Sequence, residues 1–382
     1  MDSYFAVTAP GLETLTALEL RRLGLRPADA PGGETEDGGV AFEGGPDQLY
    51  LANLQLRTAS RVLVRLGSFY AGSFSELRKK ASRLDWDRYF KPGQPVAIRT
   101  TCHKSKLYHS DAVSERVAGA IGDKLGKPSS HEKAADDEAG NPRQLIVVRL
   151  VKDQCTVSID SSGELLHRRG YRQAVAKAPL RETLAAGMLL AAGWDRTAPL
   201  LDPFCGSGTI AIEAALWAMG AAAGGARRFA FMDWPGYEAR RWQAIRADFK
   251  PASVLPVIQA SDRDAGAIRM AQENAKRAGV DGFIQFTCRA VSAIEPPAGP
   301  GWVITNPPYG LRVSEGKDLR NLYAQIGNVL RAKCPGWQVA LLCSDLKLLG
   351  QTGIDLQPSL SLVNGGLKVW LATGDIPLTK EL

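Results

Sequence analysis

An Asn-Pro-Pro-Tyr segment at the end of an apolar run constrains this chain more than any other part of its 382 residues. The run Val303–Thr305 predicts a buried strand, and Asn306–Tyr309 predicts a rigid polar loop directly after it. Each proline fixes φ at about −65° and lacks an N–H donor, so the neighbouring carbonyls keep their accepting capacity. A plain strand-ending turn is the alternative, because Asn-Pro is a common turn dipeptide.

This loop has the chemistry needed to hold a planar ring that carries an amino group. The side-chain oxygen of Asn306 and the carbonyl of Pro307 can each accept one N–H of the amine. The ring of Tyr309 can stack on the planar group. We therefore predict four catalytic residues, Asn306, Pro307, Pro308 and Tyr309.

The segment Pro199–Ile210 predicts a strand, a Gly-rich turn and the start of a helix. Gly206 and Gly208 allow a ligand to approach the backbone, where the N–H groups of the helix start face it. No Lys follows the glycines, which excludes a Walker-type phosphate loop, and Asp202 would repel a dinucleotide's diphosphate. An acidic residue beside a Gly turn suits S-adenosylmethionine, whose amino-acid end carries an ammonium. The predicted cofactor contacts in this segment are Asp202, Pro203, Phe204, Cys205, Gly206, Ser207, Gly208 and Thr209.

A third segment, Val257–Asp264, predicts the next strand and ends in carboxylates, where a doubly wound sheet presents an acid to ribose hydroxyls. Ser261–Asp264 would also make a good helix N-cap, so a purely structural role is the alternative. Strand, Gly turn, helix, strand, acid and helix, followed later by Asn-Pro-Pro-Tyr, is the order of a class I methyltransferase. The further predicted cofactor contacts are Asp262, Arg263, Asp264 and, from its strand end, Asn306.

The composition describes a globular protein with more than one domain. A chain of 382 residues with 45% hydrophobic and 23% charged residues exceeds a single compact core, so two or three domains are expected. Six cysteines without a Cys-x-x-Cys pair and only four histidines support neither a disulfide framework nor a metal site. No apolar run approaches about 18 residues, and Met1–Phe5 lacks a signal-peptide pattern, so we expect a cytoplasmic protein without membrane spans.

Basic residues are concentrated in the front half of the chain. The net charge is +7, and residues 61–180 hold 22 Lys and Arg against 13 Asp and Glu, whereas the remainder is close to neutral. This distribution suggests that the front half holds a polyanion, although a solvated Lys-rich surface explains it equally well. Arg99–His109 mixes basic, hydroxyl and aromatic groups, which suits phosphate contacts with stacking on unpaired bases. The predicted RNA contacts in this segment are Arg99, Lys104 and Lys106.

Periodicity divides the chain into four segments. Residues 1–60 and 61–165 are each predicted to be an α+β unit, residues 166–198 a linker with a helix, and residues 199–382 a Rossmann-like domain. Predicted strands in the front half are 3–8, 38–42, 61–66, 95–100, 144–151 and 154–160, and predicted helices are 12–23, 46–56, 73–84 and 110–125. Later elements are a helix at 179–192 and strands at 283–291, 338–343 and 366–372.

Two other segments leave alternatives open. Lys127–Arg143 is polar and contains Pro and Gly, which predicts an exposed loop. Arg227–Phe249 carries Trp234, Tyr237 and Trp242 together with several Arg. Its aromatic side chains would either shape a pocket for a target base or, as is more common for Trp at helical spacing, pack in a core.

Four motifs together resemble one family. The chain resembles the THUMP-domain guanine-N2 RNA methyltransferases, which include the RlmL type acting on large-subunit ribosomal RNA and its tRNA-acting relatives. The segments that carry this resemblance are His167–Arg172, Ala178–Ala186, Leu201–Thr209 and Thr305–Arg312. More broadly, the chain resembles amino-methyltransferases with an Asp/Asn-Pro-Pro-Tyr loop. The resemblance implies an α/β fold with a C-terminal Rossmann-like class I methyltransferase domain. It further implies that an N-terminal ferredoxin-like α+β domain (residues 1–60) and a THUMP RNA-binding domain (residues 61–165) precede it.

The resemblance also implies roles for residues outside the central motifs. Leu180 and Thr183 would line the methionine end of the cofactor. The family usually places an Asp near the adenine after the third strand, where this chain has Arg289-Ala290, so a backbone N–H would make that contact. A basic bridge that touches RNA is implied for Arg168, Arg169 and Arg172, with a plain basic linker as the alternative.

The predicted function is S-adenosylmethionine-dependent methylation of the exocyclic N2 amine of a guanosine, in large-subunit ribosomal RNA first and in tRNA second. A DNA adenine-N6 or cytosine amino-methyltransferase is disfavoured because the basic α+β front region replaces the usual sequence-reading domain. A protein glutamine methyltransferase is disfavoured by the long basic front half. A non-enzymatic RNA-binding protein is disfavoured because both principal motifs are intact.

Overall fold

The computed structural model describes residues 1–28, 35–134, 143–173, 180–248, 252, 255–309 and 319–378. The chain forms two compact units. The N-terminal unit comprises Met1–Thr8, Thr16–Leu166 and Arg227–Asp248, and the C-terminal unit comprises Ala9–Leu15, His167–Ala226 and Phe249–Leu382. The four-segment division by residue number stays a prediction. The two units show that Ala9–Leu15 and Arg227–Asp248 group with parts of the chain distant in sequence.

The described part of the N-terminal unit contains a seven-stranded sheet with the strand order β2-β1-β3-β7-β6-β4-β5. Its strands are β1 (Asp2–Thr8), β2 (Gly39–Gly44), β3 (Ala59–Tyr70), β4 (Val96–His103), β5 (His131–Lys133), β6 (Gln144–Val151) and β7 (Gln154–Asp160). The accompanying helices are α1 (Glu13–Arg22), α2 (Pro46–Gln55), α3 (Phe74–Ala81) and α4 (Ser110–Leu125). The predicted helices and strands of the front half are confirmed, with exact bounds for α4, β6 and β7 and shifted ends for the others.

The long strand β3 joins the two predicted α+β segments into one sheet. Residues Ala59–Arg65 pair antiparallel with β1, and Leu63–Tyr70 pair antiparallel with β7. The register with β7 shifts between Arg65 and Gly67, which marks a β-bulge in β3. The predicted boundary at residue 60 therefore falls inside a continuous strand.

The prediction of a loop at Lys127–Arg143 is wrong in part. His131–Lys133 forms the short edge strand β5, which pairs in parallel with β4 at Val96–Ile98. Its three residues are all polar, so no apolar alternation signals a strand, and only the unpaired edge of β4 defines it. The rest of this segment, residues 135–142, lies outside the described residues.

The segment Arg227–Asp248 belongs to the core of the N-terminal unit. Phe231 stacks on Tyr50 of α2 with ring centroids 4.6 Å apart, and Trp242 of helix α7 (Ala239–Ala247) meets Tyr50 edge-on at 6.1 Å. These rings pack against one another in the core. Of the two alternatives for this segment, core packing is therefore the correct one for Trp242, and a role in a pocket for a target base is not. The same cluster includes Phe229, Trp234 and Tyr237.

The described part of the C-terminal unit contains a second seven-stranded sheet, in the order β10-β9-β8-β11-β12-β14-β13. Its strands are β8 (Leu200–Asp202), β9 (Ile258–Asp262), β10 (Ile284–Cys288), β11 (Trp302–Thr305), β12 (Gln338–Cys343), β13 (Gln357–Asn364) and β14 (Leu367–Asp375). The helices are α5 (Glu182–Ala192), α6 (Thr209–Ala218), α8 (Ala265–Ala278), α9 (Arg320–Lys333) and α10 (Leu346–Gly350). The strands from β10 to β12 are parallel, and β14 is antiparallel to both β12 and β13.

Both faces of the central parallel strands β8, β11 and β12 are buried, as parallel strands covered on both sides require. Leu200 and Ile304 belong to one hydrophobic cluster, which also receives α5, α6 and α8. Their sequence neighbours Leu201 and Val303 belong to the other, which receives α9. The doubly wound fold predicted for this part of the chain is confirmed, although the strand β13 was not predicted.

None of the described helices is long and apolar enough to cross a membrane. Nor do the residues covered by the structure bring together three or more His, Cys, Asp or Glu side chains able to hold a metal ion.

The aromatic cluster of the N-terminal unit leads to a stability prediction. Trp242→Ala should destabilise the protein by about 3–5 kcal/mol, because a large aromatic side chain leaves a cavity in a packed core. Trp242 is 3% exposed. Denaturant unfolding followed by circular dichroism measures the change. The exposed Arg240 on the same helix provides the matched variant, Arg240→Ala, expected within about 0.5 kcal/mol of the parent. Equal unfolding midpoints for the two variants would contradict the assignment of Trp242 to the core.

Candidate active site

Three parallel strands end at one edge of the C-terminal sheet and carry polar groups there. β8 pairs with β9 through Asp202↔Ala260 and with β11 through Leu201↔Val303. The carboxyl ends of adjacent parallel strands lie side by side, in the crevice where ligands bind in open α/β sheets. The pairing therefore brings Asp202, Asp262 and the residues after Thr305 to a common edge.

Asp202 closes β8 with a buried carboxyl group that is 1% exposed. Its Oδ1 accepts hydrogen bonds from Oγ1 of Thr305 at 2.5 Å and from the backbone N–H of Phe204 at 3.2 Å. Burial raises the pKa of this carboxyl to about 7, and the Thr305 bond opposes that rise. Its Oδ2 is buried and meets no hydrogen-bond partner among the described residues. A buried acceptor in this state suits a cationic donor such as an ammonium group.

The Gly turn is held against the end of β9 by two backbone donors. The N–H of Cys205 donates to the carbonyl of Ser261 at 3.0 Å. The N–H of Gly206 donates to Oδ2 of Asp262 at 3.1 Å. These bonds fix the distance between the turn and the acid at the end of the next strand.

The two glycines of the turn serve different purposes. Gly208 has φ +85° at the start of α6, and a Cβ there would lie 3.0 Å from the Cβ of Ala271 on α8. Gly206 has φ +51°, and a Cβ there would meet nothing within 4 Å. Gly208 thus allows close helix packing, whereas the backbone of Gly206 borders open space that a ligand can occupy.

The two carboxylates at the end of β9, Asp262 and Asp264, have different contacts. Oδ1 of Asp264 accepts from the backbone N–H groups of Gly266 at 2.7 Å and Ala267 at 3.3 Å, which makes Asp264 the N-cap of α8. Oδ1 of Asp262 accepts from the N–H of Asp264 at 3.0 Å. Asp262 is half-buried at the strand end and retains lone pairs for a ligand hydroxyl. The capping alternative therefore describes Asp264. Arg263 between them is exposed.

The Asn-Pro-Pro-Tyr loop after β11, which the sequence predicts to be catalytic, also holds a buried acceptor without a donor among the described residues. Oδ1 of Asn306 is buried and has no hydrogen-bond partner within the described part of the chain. Pro307 is buried behind it, and Tyr309 is half-buried against both hydrophobic clusters of this unit. Burial raises the pKa of the Tyr309 phenol. The residues that follow in the resembled motif, Gly310-Leu311-Arg312, lie outside the described residues.

Arg289 is already used by its own loop. Its backbone N–H donates to the carbonyl of Asp262 at 2.9 Å. Its guanidinium donates to the carbonyl of Ala293 at 3.1 Å and to the carboxylate of Glu295 at 3.0 Å. These bonds hold the loop in place, Ala290 beside it is exposed, and the adenine contacts of Arg289 and Ala290 stay predictions.

Arg172 clamps the starts of two helices. Its guanidinium donates to the carbonyl of Leu180 at 2.6 Å and to Oγ1 of Thr209 at 2.9 Å, and its Nε lies 3.1 Å from the carboxylate of Glu182. Burial raises the pKa of Glu182 to about 7, and the charge of Arg172 opposes that rise. A guanidinium engaged in this way stabilises the starts of α5 and α6, and the RNA contact of Arg172 stays a prediction.

Arg169 is likewise an interior residue. It is 4% exposed, and its Nε lies 3.6 Å from the carboxylate of Glu213 on α6, which also accepts from the hydroxyl of Tyr171 at 3.1 Å. The RNA contact predicted for Arg169 is wrong because the side chain lies in the core. Arg168 is half-buried, and its RNA contact stays a prediction.

The remaining predicted contacts lie in both units. Leu180 and Thr183 are 6% and 3% exposed, and Leu180 shares a hydrophobic cluster with Cys205 of the Gly turn. The preceding Ala178-Pro179 lie outside the described residues. In the N-terminal unit, Lys104 and Lys106 are exposed directly after β4, and Arg99 is half-buried on that strand.

The sequence reasoning missed three polar residues that support the site. Thr305 bonds Asp202, the hydroxyl of Tyr323 lies 3.4 Å from the carbonyl of Pro308, and the side-chain amide of Asn364 donates to the Tyr309 hydroxyl at 2.8 Å. A polar Thr ending an apolar strand was an available signal. So was Asn364-Gly365-Gly366, a strong hairpin-turn sequence.

The described residues fit S-adenosylmethionine. The unpartnered Oδ2 of Asp202 suits its ammonium, the open space at Gly206 suits its approach to the backbone, and Asp262 suits a ribose hydroxyl. A doubly wound sheet with this Gly turn and an Asn-Pro-Pro-Tyr strand end defines a class I methyltransferase domain.

Comparison with known proteins extends this classification to the whole chain. Family profiles match an RlmL ferredoxin-like domain over residues 3–63, a THUMP domain over residues 71–160 and an RMKL-like methyltransferase domain over residues 169–352. A Synechocystis sp. protein named "Putative RNA methyltransferase slr0064" is 36% identical over 369 residues, which cover 95% of this chain and 94% of that protein. The chain therefore belongs to the RlmL-type family of THUMP-domain methyltransferases.

Two further relatives define the extent of the match. The "Ribosomal RNA large subunit methyltransferase K/L" of Syntrophotalea carbinolica is 35% identical over 387 residues, covering 98% of this chain and 53% of that protein. The chain thus spans about half the length of that relative. A crystal structure of "SMU.472, a putative methyltransferase complexed with SAH" is 30% identical, with a TM-score of 0.86 over 100% of this chain and 99% of that one.

Proposed function

We propose that this chain is an S-adenosylmethionine-dependent RNA methyltransferase that modifies the exocyclic N2 amine of a guanosine, in large-subunit ribosomal RNA first and in tRNA second. The names of the Synechocystis and Syntrophotalea relatives support an RNA substrate, and the second names the large ribosomal subunit. The matched THUMP domain and the basic front half support a polyanionic partner.

The observation that carries the proposal is the buried, unpartnered Oδ1 of Asn306 at the end of β11. A buried acceptor without a donor costs free energy and is satisfied when a substrate N–H reaches it. The strand β11 pairs with β8, whose Asp202 presents a second unpartnered oxygen. One acceptor suits the amine to be methylated and the other suits the cofactor's ammonium, so the two substrates would meet at this edge.

Catalysis by these residues consists mainly of positioning. S-adenosylmethionine, when bound, would supply a methyl group on its sulfonium sulfur. The amine nitrogen would take this methyl group by in-line attack, with the sulfur leaving as the thioether of S-adenosylhomocysteine. Asn306 Oδ1 and the Pro307 carbonyl would orient the amine and favour the positive charge that develops on its nitrogen. Tyr309 would hold the base plane by stacking. No strong general base is required, because the amine proton leaves after transfer.

Asn306→Ala should lower methyl transfer by at least about 100-fold, the scale of losing an oriented transition-state partner. Affinity for S-adenosylhomocysteine should change little, since Asp202 and the Gly turn are intact. Radiolabel transfer and calorimetry measure the two quantities. Asn328→Ala is the matched control and should behave as wild type, because it removes an exposed Asn that accepts a hydrogen bond from Arg331 within α9. Turnover within about tenfold of wild type would remove Asn306 from the mechanism.

The pKa of Asp202 predicts a pH dependence of cofactor binding. Below its pKa of about 7 the carboxyl is protonated and attracts an ammonium weakly, and above that pH it is ionised. S-adenosylhomocysteine should therefore bind roughly tenfold more tightly at about pH 8 than at about pH 6, following the ionised fraction. Asp202→Asn should abolish this dependence in calorimetry. Glu182→Gln removes a different buried carboxyl whose pKa is also about 7, and this variant should keep the pH dependence of S-adenosylhomocysteine binding. An unchanged pH profile in Asp202→Asn would contradict the assignment.

The substrate is tested with purified protein, labelled cofactor and separate pools of unmodified ribosomal RNA, tRNA and duplex DNA. We expect label as N2-methylguanosine in ribosomal RNA, with a salt-sensitive affinity because phosphate contacts release counterions. The target base should lie in a loop or be unstacked, since its amine must reach Asn306. Label found only as N6-methyladenine in DNA would overturn the proposal.

A further inference from the structure

The β13–β14 hairpin ends in a tight turn that holds Asn364 in place. The turn residues Gly365 and Gly366 have φ +57° and +82°, a geometry whose twist matches that of the flanking strands. The cross-strand pairs Val363↔Lys368 and Asn364↔Leu367 continue up to the turn. Asn364 is therefore the last residue of a strand whose register is set by both pairing and turn geometry.

Side chains alternate along β13, and Asn364 lies on the face that meets the core. Leu360 and Leu362, at intervals of two, pack in the same hydrophobic cluster as Tyr309. Val363, on the opposite face, is 42% exposed. An apolar row thus ends in one polar residue, whose Nδ2 donates to the hydroxyl of Tyr309 at 2.8 Å.

This bond restricts the aromatic ring that ends the catalytic loop. A stacking ring alone needs no partner for its hydroxyl, and a Phe would stack as well. Here the hydroxyl is tied to a hairpin 55 residues further along the chain. The fixed φ of Pro307 and Pro308 restricts the backbone that carries the same ring. The ring is thus held at its hydroxyl by the hairpin, while its backbone attachment is restricted by the two prolines.

We propose that Asn364 is a positioning residue that sets the plane of the Tyr309 ring and, through stacking, the direction in which the target amine points to Asn306. This proposal rests on the proposed function only in that Tyr309 stacks on the base to be methylated. Asn364 itself touches neither the reacting atoms nor the cofactor. Its loss should lower kcat, because a misdirected amine reacts slowly, and leave substrate binding largely unchanged.

The test is a double-mutant cycle of Asn364→Ala and Tyr309→Phe. Steady-state methyl transfer is measured on the nucleic acid that the wild type modifies. Each single variant should lower kcat about tenfold, and the double variant should fall no further, since both remove the same bond. KM for the nucleic acid and affinity for S-adenosylhomocysteine should stay within about twofold of wild type. Thermal unfolding confirms that each variant is folded.

Two further variants separate positioning from general damage. Asn364→Asp offers a carboxylate that accepts from the Tyr309 hydroxyl, so it should restore most of the lost kcat. Asn328→Ala, an exposed Asn of the same unit, should match wild type. A kcat for Asn364→Ala within about twofold of wild type, or losses that multiply in the double variant, would overturn the proposal.

The cycle also separates this inference from the proposed function. If the wild type methylates DNA and neither RNA pool, the proposed function fails, but the cycle is run on DNA and still decides the role of Asn364. If the wild type methylates RNA and the two substitutions act independently, the inference alone fails.

Discussion

The hydrogen bond from Thr305 to Asp202 is the contact on which the candidate site depends. It joins the end of β8, which leads into the Gly turn, to the end of β11, which leads into the Asn-Pro-Pro-Tyr loop. The two residues are 103 positions apart in the chain, and parallel pairing of β8 with β11 brings them together. The same bond orients Oδ1 of Asp202 and leaves Oδ2 for a ligand. Cofactor turn, acid and catalytic loop then share one sheet edge.

The site keeps two buried acceptors without protein donors, Oδ2 of Asp202 and Oδ1 of Asn306. Each such group costs about 1–3 kcal/mol when no partner is present. Because folded proteins are only marginally stable, unpaired buried acceptors are expected mainly at sites where a bound ligand supplies the missing donor. Preorganised acceptors need no rearrangement at the moment of reaction, so under the proposed function they would favour methyl transfer to an amine through positioning.

Interior charges in the C-terminal unit serve the architecture of the cofactor turn. Arg172 connects Leu180, Glu182 and Thr209, and Arg169 lies beside Glu213. Sequence alone shows a basic stretch before the catalytic domain, and such a stretch equally suits RNA contact or a structural clamp. The carboxylates that these arginines meet, Glu182 and Glu213, lie 10 to 44 residues further along the chain, on α5 and α6.

Local patterns determined the elements, the Gly turn, the catalytic loop and the class of chemistry, because periodicity, turn residues and motif spacing act within short stretches of chain. Helix α4 and strand β7 match their predicted bounds for that reason. Only the tertiary structure decided which charges are buried, that Trp242 packs on Tyr50, and that Asn364 meets Tyr309. These contacts join residues far apart in the chain. The sequence around each residue does not specify its contact partner, because that partner is set only when the strands and helices pack together.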